Sequence, residues 1–181
     1  MLEETIIAGF GGQGVMSMGQ LIAYAGMFEG KAVSWLPSYG PEQRGGTANC
    51  AVVVSDEQVG SPLVTYPSTA IVLNNPSFDK FEPLVSPGGL LIINSSLVAR
   101  VSKRSDIKVI ELTATDIAND MGNVRVANMI LLGAFIELTR VVSCESVIHS
   151  LKKVLSEDKH HLIEVNKQAL NKGTSMISVT H

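Results

Sequence analysis

Apolar and polar residues run along this chain in blocks whose period changes. Residues 5–9, Thr-Ile-Ile-Ala-Gly, make a short apolar run closed by glycine, the pattern of a buried strand of a parallel sheet. Gly11-Gly12-Gln13-Gly14 follows as a turn. From 15 to 30, Val15, Met18, Leu21, Ile22, Ala25 and Met27 or Phe28 recur near helical spacing, and Gly30 stands where a helix-ending glycine belongs. Residues 32–36 read as a second strand. The first 36 residues therefore predict a βαβ unit.

Residues 37–46 are dense in Pro, Gly and polar side chains and predict a loop. Residues 47–54 are apolar and β-branched, a strand. Residues 60–67 carry two prolines and read as irregular. Residues 70–73, 90–93 and 108–112 predict three more strands, with Pro76 opening a short helix that carries Phe78 and Phe81. Thr113 and Asp116 resemble a capping box with a shortened acid, opening a helix to about Met121. Residues 125–139 predict an apolar helix. Residues 145–155 and 158–172 predict amphipathic ones, the last ending at Gly173 before a frayed tail. Strands alternating with helices, then a helical last third, predict an α/β sheet with helices on both faces.

Composition narrows the partners. Of 181 residues, 45% are hydrophobic and 17% charged, which is apolar for a free-standing soluble monomer, so some apolar surface is expected to meet a partner. A net charge of −3 without a basic run argues against nucleic acid. No signal peptide is read at Met1 to Thr5, and no apolar run reaches membrane-spanning length, so a cytoplasmic protein is expected. Cys50 and Cys144 stand far apart and outside any CxxC pair. The chain is therefore expected to ligate neither an iron–sulfur cluster nor a structural zinc by itself.

Two loops hold the candidate chemistry. Gly9-x-Gly11-x-x-Gly14 fits a dinucleotide fingerprint, whose glycines allow a tight turn and whose helix start offers N–H groups to an anion. A dinucleotide site also wants an acid at the end of the second strand, and that strand ends Ser34-Trp35-Leu36-Pro37. Close packing of helix on strand, with nothing bound, is the simpler alternative. The second loop, residues 38–50, follows the second strand and is expected at the same carboxyl edge. It supplies Ser38, Tyr39, Gly40, Glu42, Arg44 and Gly45. Its plain alternative is a Glu42–Arg44 surface pair on a glycine turn. No nucleophile and base pair up: His149, His160, His161 and His181 fall in the helical third or the tail. The adjacent His160 and His161 would diverge on a helix. No catalytic residue is assigned.

At these two loops the sequence resembles a known family. Residues 7–15, Ile-Ala-Gly-Phe-Gly-Gly-Gln-Gly-Val, and residues 38–47, Ser-Tyr-Gly-Pro-Glu-Gln-Arg-Gly-Gly-Thr, are similar to the gamma subunit or domain of the 2-oxoacid:ferredoxin oxidoreductases. Residues 125–134, Arg-Val-Ala-Asn-Met-Ile-Leu-Leu-Gly-Ala, resemble that family's helix after the sheet. The resemblance spans residues 4 to 172, and its wording leans towards the 2-oxoglutarate and branched-chain forms.

The resemblance implies a three-layer, Rossmann-like fold over a single domain, 1–181, with a helical extension over about 125–173. It implies a complex that oxidatively decarboxylates a 2-oxoacid to an acyl-CoA and reduces ferredoxin. Thiamine diphosphate and the iron–sulfur clusters would sit on alpha and beta subunits and, where present, a ferredoxin-like delta subunit. This chain would bind no cofactor tightly and be inactive alone. It would help form the coenzyme A side of the cleft through Gly11, Gly12, Gln13, Gly14, Ser38, Tyr39, Gly40, Glu42, Arg44 and Gly45. A homodimer contact is a further expectation. The competing reading is a free-standing nucleotide-binding regulatory module.

Overall fold

The computed structural model describes residues 1–40 and 46–178. Six strands form one sheet: β1 (Leu2–Phe10), β2 (Ala32–Tyr39), β3 (Thr47–Ser55), β4 (Thr69–Val72), β5 (Leu90–Asn94) and β6 (Lys108–Leu112). Their order is β2-β3-β1-β4-β5-β6. Strands β1, β4, β5 and β6 run parallel, while β3 lies antiparallel to both β1 and β2. The expected βαβ pairing of the first two strands is thus corrected, because β3 sits between them. Two antiparallel steps nevertheless leave β1 and β2 pointing the same way, so their carboxyl ends share one edge.

The second strand also runs three residues further than expected. Pro37, Ser38 and Tyr39 pair with Cys50, Asn49 and Ala48. Proline is tolerated because β2 is an edge strand, where an N–H facing away from the ladder is not needed.

The sheet's two faces follow from the period of two. Ile7, Val52, Val54, Ile71 and Ile92 point to one face. They pack under α1 (Val15–Phe28), α3 (Ala114–Asp120) and α4 (Ala127–Thr139), with α5 (Cys144–Val154) and α6 (Ile163–Ser178) packed against α1 and α4 as a second layer. Ile6, Ala8, Val72 and Ile93 point to the other, where α2 (Asn75–Phe81) lays Phe78 and Phe81 on them. Helices therefore cover both faces, as expected for an α/β fold.

Helix α4 is buried at every position from Ala127 to Ile136, which a run apolar but for Asn128 requires. It crosses α6 where two glycines meet. A Cβ on Gly133 would strike the Leu170 carbonyl, and one on Gly173 the Ile130 carbonyl. The expectation that Gly173 ends the last helix is corrected, since α6 continues to Ser178 and the glycine serves helix contact. Residues Glu157–Leu162 form 3-10 turns rather than the start of that helix. The Thr113 cap is corrected too: its side chain makes no cap bond, and Asp116 pairs instead with Ser96, whose hydroxyl donates to it at 2.9 Å.

Candidate functional site

The glycine turn begins where β1 ends. Gly12 (φ 92°) and Gly14 (φ 79°) occupy the left-handed region, which lets the chain reverse from strand into α1 within four residues. Gly14 caps α1 without a side-chain bond, and the first turn carries no acid. The helix start thus offers its N–H groups and partial positive charge to an anion. Gln13 holds the turn shut. Its Oε1 accepts from the Phe10 N–H at 2.6 Å, and its Nε2 donates to the Leu73 carbonyl at 3.3 Å, joining the ends of β1 and β4.

The second motif is a hairpin rather than a crossover loop. Gly40 N–H donates to the Thr47 carbonyl at 2.7 Å and closes its stem. Gly11 N–H donates to the Gly46 carbonyl at 3.0 Å. That bond puts the glycine turn and the hairpin stem side by side at the carboxyl edge. Ser38 and Tyr39 are exposed strand residues, Tyr39 by 71%. Glu42, Arg44 and Gly45 lie outside the described residues.

Three residues at this edge escaped the sequence reading. Asn94, the last residue of β5, and Asn128, in the first turn of α4, are 1% and 8% exposed. Arg125 sits in the 3-10 turn Val124–Val126, where its N–H donates to Asn123 Oδ1 at 3.1 Å. Gly12, Arg125 and Asn128 line two cavities beside the glycine turn, of about 520 and 200 Å3. The signal for Asn128 was in the sequence: one amide interrupts an otherwise apolar stretch at the start of a buried helix, and a buried amide needs a reason.

The cysteines do not form a ligand set. Burial pushes the Cys50 thiol up to about 12, and the thiol donates to the Val15 carbonyl at 3.5 Å. Cys144 is half-buried beside Thr174 on α6, whereas Cys50 is fully buried. Among the described residues, no three His, Cys, Asp or Glu side chains converge on a point. His160 and His161 each contact a backbone carbonyl, of Leu155 and Asp158, and His149 meets the Phe28 ring edge-on at 4.7 Å. Among the described residues no helix is long and apolar enough to cross a membrane.

Comparison with known proteins gives a consistent result. The family model described as pyruvate ferredoxin/flavodoxin oxidoreductase matches residues 4–176. Ketoisovalerate oxidoreductase subunit VorA of Methanothermobacter marburgensis is 40% identical over 167 residues, 92% of this chain. The chain spans only 35% of that relative's length. 2-Oxoglutarate synthase subunit KorC of Methanocaldococcus jannaschii is 32% identical, covering 96% of this chain and 92% of its own. The crystal structure of a keto/oxoacid ferredoxin oxidoreductase gamma subunit from Geobacter sulfurreducens superimposes with a TM-score of 0.83. It shares 28% identity and covers 98% of this chain and 99% of its own.

Proposed function

The chain belongs to the pyruvate ferredoxin/flavodoxin oxidoreductase family, and on that premise we propose that it is the gamma-type subunit of a 2-oxoacid:ferredoxin oxidoreductase. The complex would convert a 2-oxoacid to an acyl-CoA and pass electrons to ferredoxin. A branched-chain 2-oxoacid or 2-oxoglutarate is the favoured substrate, because the relatives named above are subunits for those acids. Residues 1–181 act as one gamma-type domain, with 125–173 as its helical extension.

The observation that carries this reading is the bond from Gly11 N–H to the Gly46 carbonyl. It joins the two family motifs at the start of α1, where an anion is best received. Coenzyme A carries phosphates, so this edge is the chain's contribution to its cleft. Arg44 supplies the full positive charge, Tyr39 an exposed ring for the pantetheine arm or a partner, and Glu42 orients Arg44. Gly12, Gly14, Gly40 and Gly45 keep the backbone close to the ligand, and Ser38 adds a hydroxyl. Gln13 serves through the clasp it already makes.

Thiamine diphosphate and iron–sulfur clusters belong to the alpha and beta subunits, or a ferredoxin-like delta subunit. This chain's cysteines and carboxylates form no ligand set for them among the described residues. Partners dock on the sheet face that α2 leaves open, around Leu36 and Phe10, each 38% exposed. The cytoplasm, where ferredoxin is reduced, is its compartment. A free-standing dinucleotide module is the weaker reading: β2 ends in Ser38 and Tyr39, with no acid for a ribose.

The test is reconstitution. The chain co-expressed with its alpha and beta subunits should co-purify with them and be required for 2-oxoacid- and coenzyme-A-dependent dye reduction. The chain alone should reduce nothing. Arg44→Ala should raise the Michaelis constant for coenzyme A about ten- to a hundredfold, the value of one charge-assisted contact. Dye reduction by the chain alone, or full activity without it, sinks the proposal.

A further inference from the structure

The end of β1 opposite the glycine turn carries a groove that the coenzyme A cleft does not use. Side chains alternate along β1, so Leu2 and Glu4 point to the same face as Ile6 and Ala8. Their cross-strand partners on β3 are Ser55 and Val53. Leu2, Glu4 and Val53, with Glu57 and Val59 from the loop after β3, line a groove of about 530 Å3. It lies the length of β1, about 25 Å, from the glycine turn.

Two properties of this groove meet in one kind of occupant. Its apolar part is Val53, 2% exposed, and Leu2, 59% exposed. Beside them stand the carboxylates of Glu4 and Glu57, neither of which forms an ion pair among the described residues. A third carboxylate, Asp56, is already taken by the Met1 amino group at 2.9 Å. No Lys, Arg or His side chain lines the groove among the described residues. A purely apolar segment docking here would strip water from two carboxylates and give them no partner, and an acidic segment would be repelled. Lys and Arg suit both properties, because an apolar stem covers the leucine and valine while the charged head reaches the acids.

We propose that this groove receives an arginine or lysine side chain from a segment of a partner subunit, docking along the amino end of β1 and the loop after β3. The stem lies against Leu2, Val53 and Val59, and the charged head meets Glu4 and Glu57. The groove continues the docking face around Leu36, which pairs with Ala51, two residues along β3 from Val53. The proposal rests on the subunit reading above and deepens it, by giving that face an acidic corner and its partner a basic side chain.

Purified alpha and beta subunits are titrated against the immobilised chain at several salt concentrations. Glu4→Gln and Glu57→Gln should each weaken capture about tenfold, the loss of one charge-assisted contact. Glu57→Lys should weaken it further and reduce its salt dependence below that of wild type, because repulsion then offsets the attraction of Glu4. Glu111→Gln makes the same charge change on β6, at the far edge of the sheet, and should leave capture unchanged. Glu4→Gln and Glu57→Gln should melt with wild type, because neither carboxylate has an ion pair to lose within the described chain.

A Glu4→Gln/Glu57→Gln double variant that is captured like wild type, with the same salt dependence, overturns this proposal and leaves the subunit reading standing. Wild-type chain that captures neither subunit overturns the subunit reading and this proposal with it. Sedimentation of the chain alone tests a second copy as the occupant. A wild-type dimer that Glu57→Lys turns into a monomer, with capture of alpha and beta unaltered, also overturns the proposal.

Discussion

The sheet's two faces are built differently. One face supports α1 and α3, then α4, with α5 and α6 packed against them, and its core includes the all-buried α4. Among the described residues, the other carries α2, the 3-10 turn Glu82–Leu84 and loop residues over β1, β4 and β5. Beyond α2, the outer side of β2 and the end of β1 show Leu36 and Phe10 to solvent. The thick face holds the fold; the thin face ends before the sheet does. Overall hydrophobicity alone could not show this division, because much of the apolar surplus serves a second helix layer and the rest lies exposed on the thin face.

The comparison can be broken most severely at the α4–α6 crossing. Gly173→Val should cost at least about 4 kcal/mol and leave little cooperative folding, since the obstacle is the Ile130 backbone. Urea denaturation followed by circular dichroism measures it; a normal midpoint would mean that α6 can slide off α4 cheaply. On the thin face, Phe78→Ala should cost about 3 kcal/mol. Phe78 is 6% exposed and lies over Ile6, Ala8, Val72 and Ile93. A cost below about 1 kcal/mol would show that α2 is dispensable cover.

A polar contact of the thick face comes next. Glu29 Oε1 accepts from the Ser143 N–H at 2.7 Å, and Oε2 pairs with Lys31 at 3.2 Å, tying the end of α1 to the start of α5. Burial pushes this carboxyl up, but the bonds from Ser143, Ser146 and Lys31 outweigh it and hold it below its ordinary 4.5. A depressed carboxyl stabilises the fold above its unfolded value, and that stability is lost as pH falls through the folded value. Glu29→Gln should therefore cost about 1 kcal/mol at pH 7 and flatten the acid limb of the stability curve. Equal acid sensitivity in both proteins would count against the contact.

Leu36→Ser should have the smallest effect on the chain itself, within about 0.5 kcal/mol, because its site is solvated already. Capture of alpha and beta subunits should nevertheless fall about tenfold, the signature of an apolar contact buried on assembly. Capture unchanged would place the partner elsewhere.

Local chemistry was readable in the sequence, and long-range pairing was not. The strand positions, the closing glycine of α1 and the proline at the start of α2 follow from patterns within a few residues. The insertion of β3 between β1 and β2 depends on pairing between residues up to 53 apart, Leu2 with Ser55, for which no local signal exists. Pro37 reads as a strand breaker until β2 is known to be an edge. Gly173 reads as a helix end until α4 is known to pass beneath it. Asp116 looks like half of a capping box until Ser96, 20 residues earlier, takes its carboxylate. At the site, the two glycine-bearing motifs were legible because their spacing is local. Asn94 was not, and Asn128 showed only as an amide breaking an apolar run, because their burial beside one cavity is a property of the assembled edge.

The outer edge of β2 has a consequence for the chain before it finds its partners. A free strand edge is a template on which further copies can add, growing into insoluble ribbons. Pro37 lies towards the carboxyl end of that edge and carries no N–H, so the row of donors a newcomer would need is interrupted. A newly made copy can therefore accumulate beside its siblings without nucleating fibres.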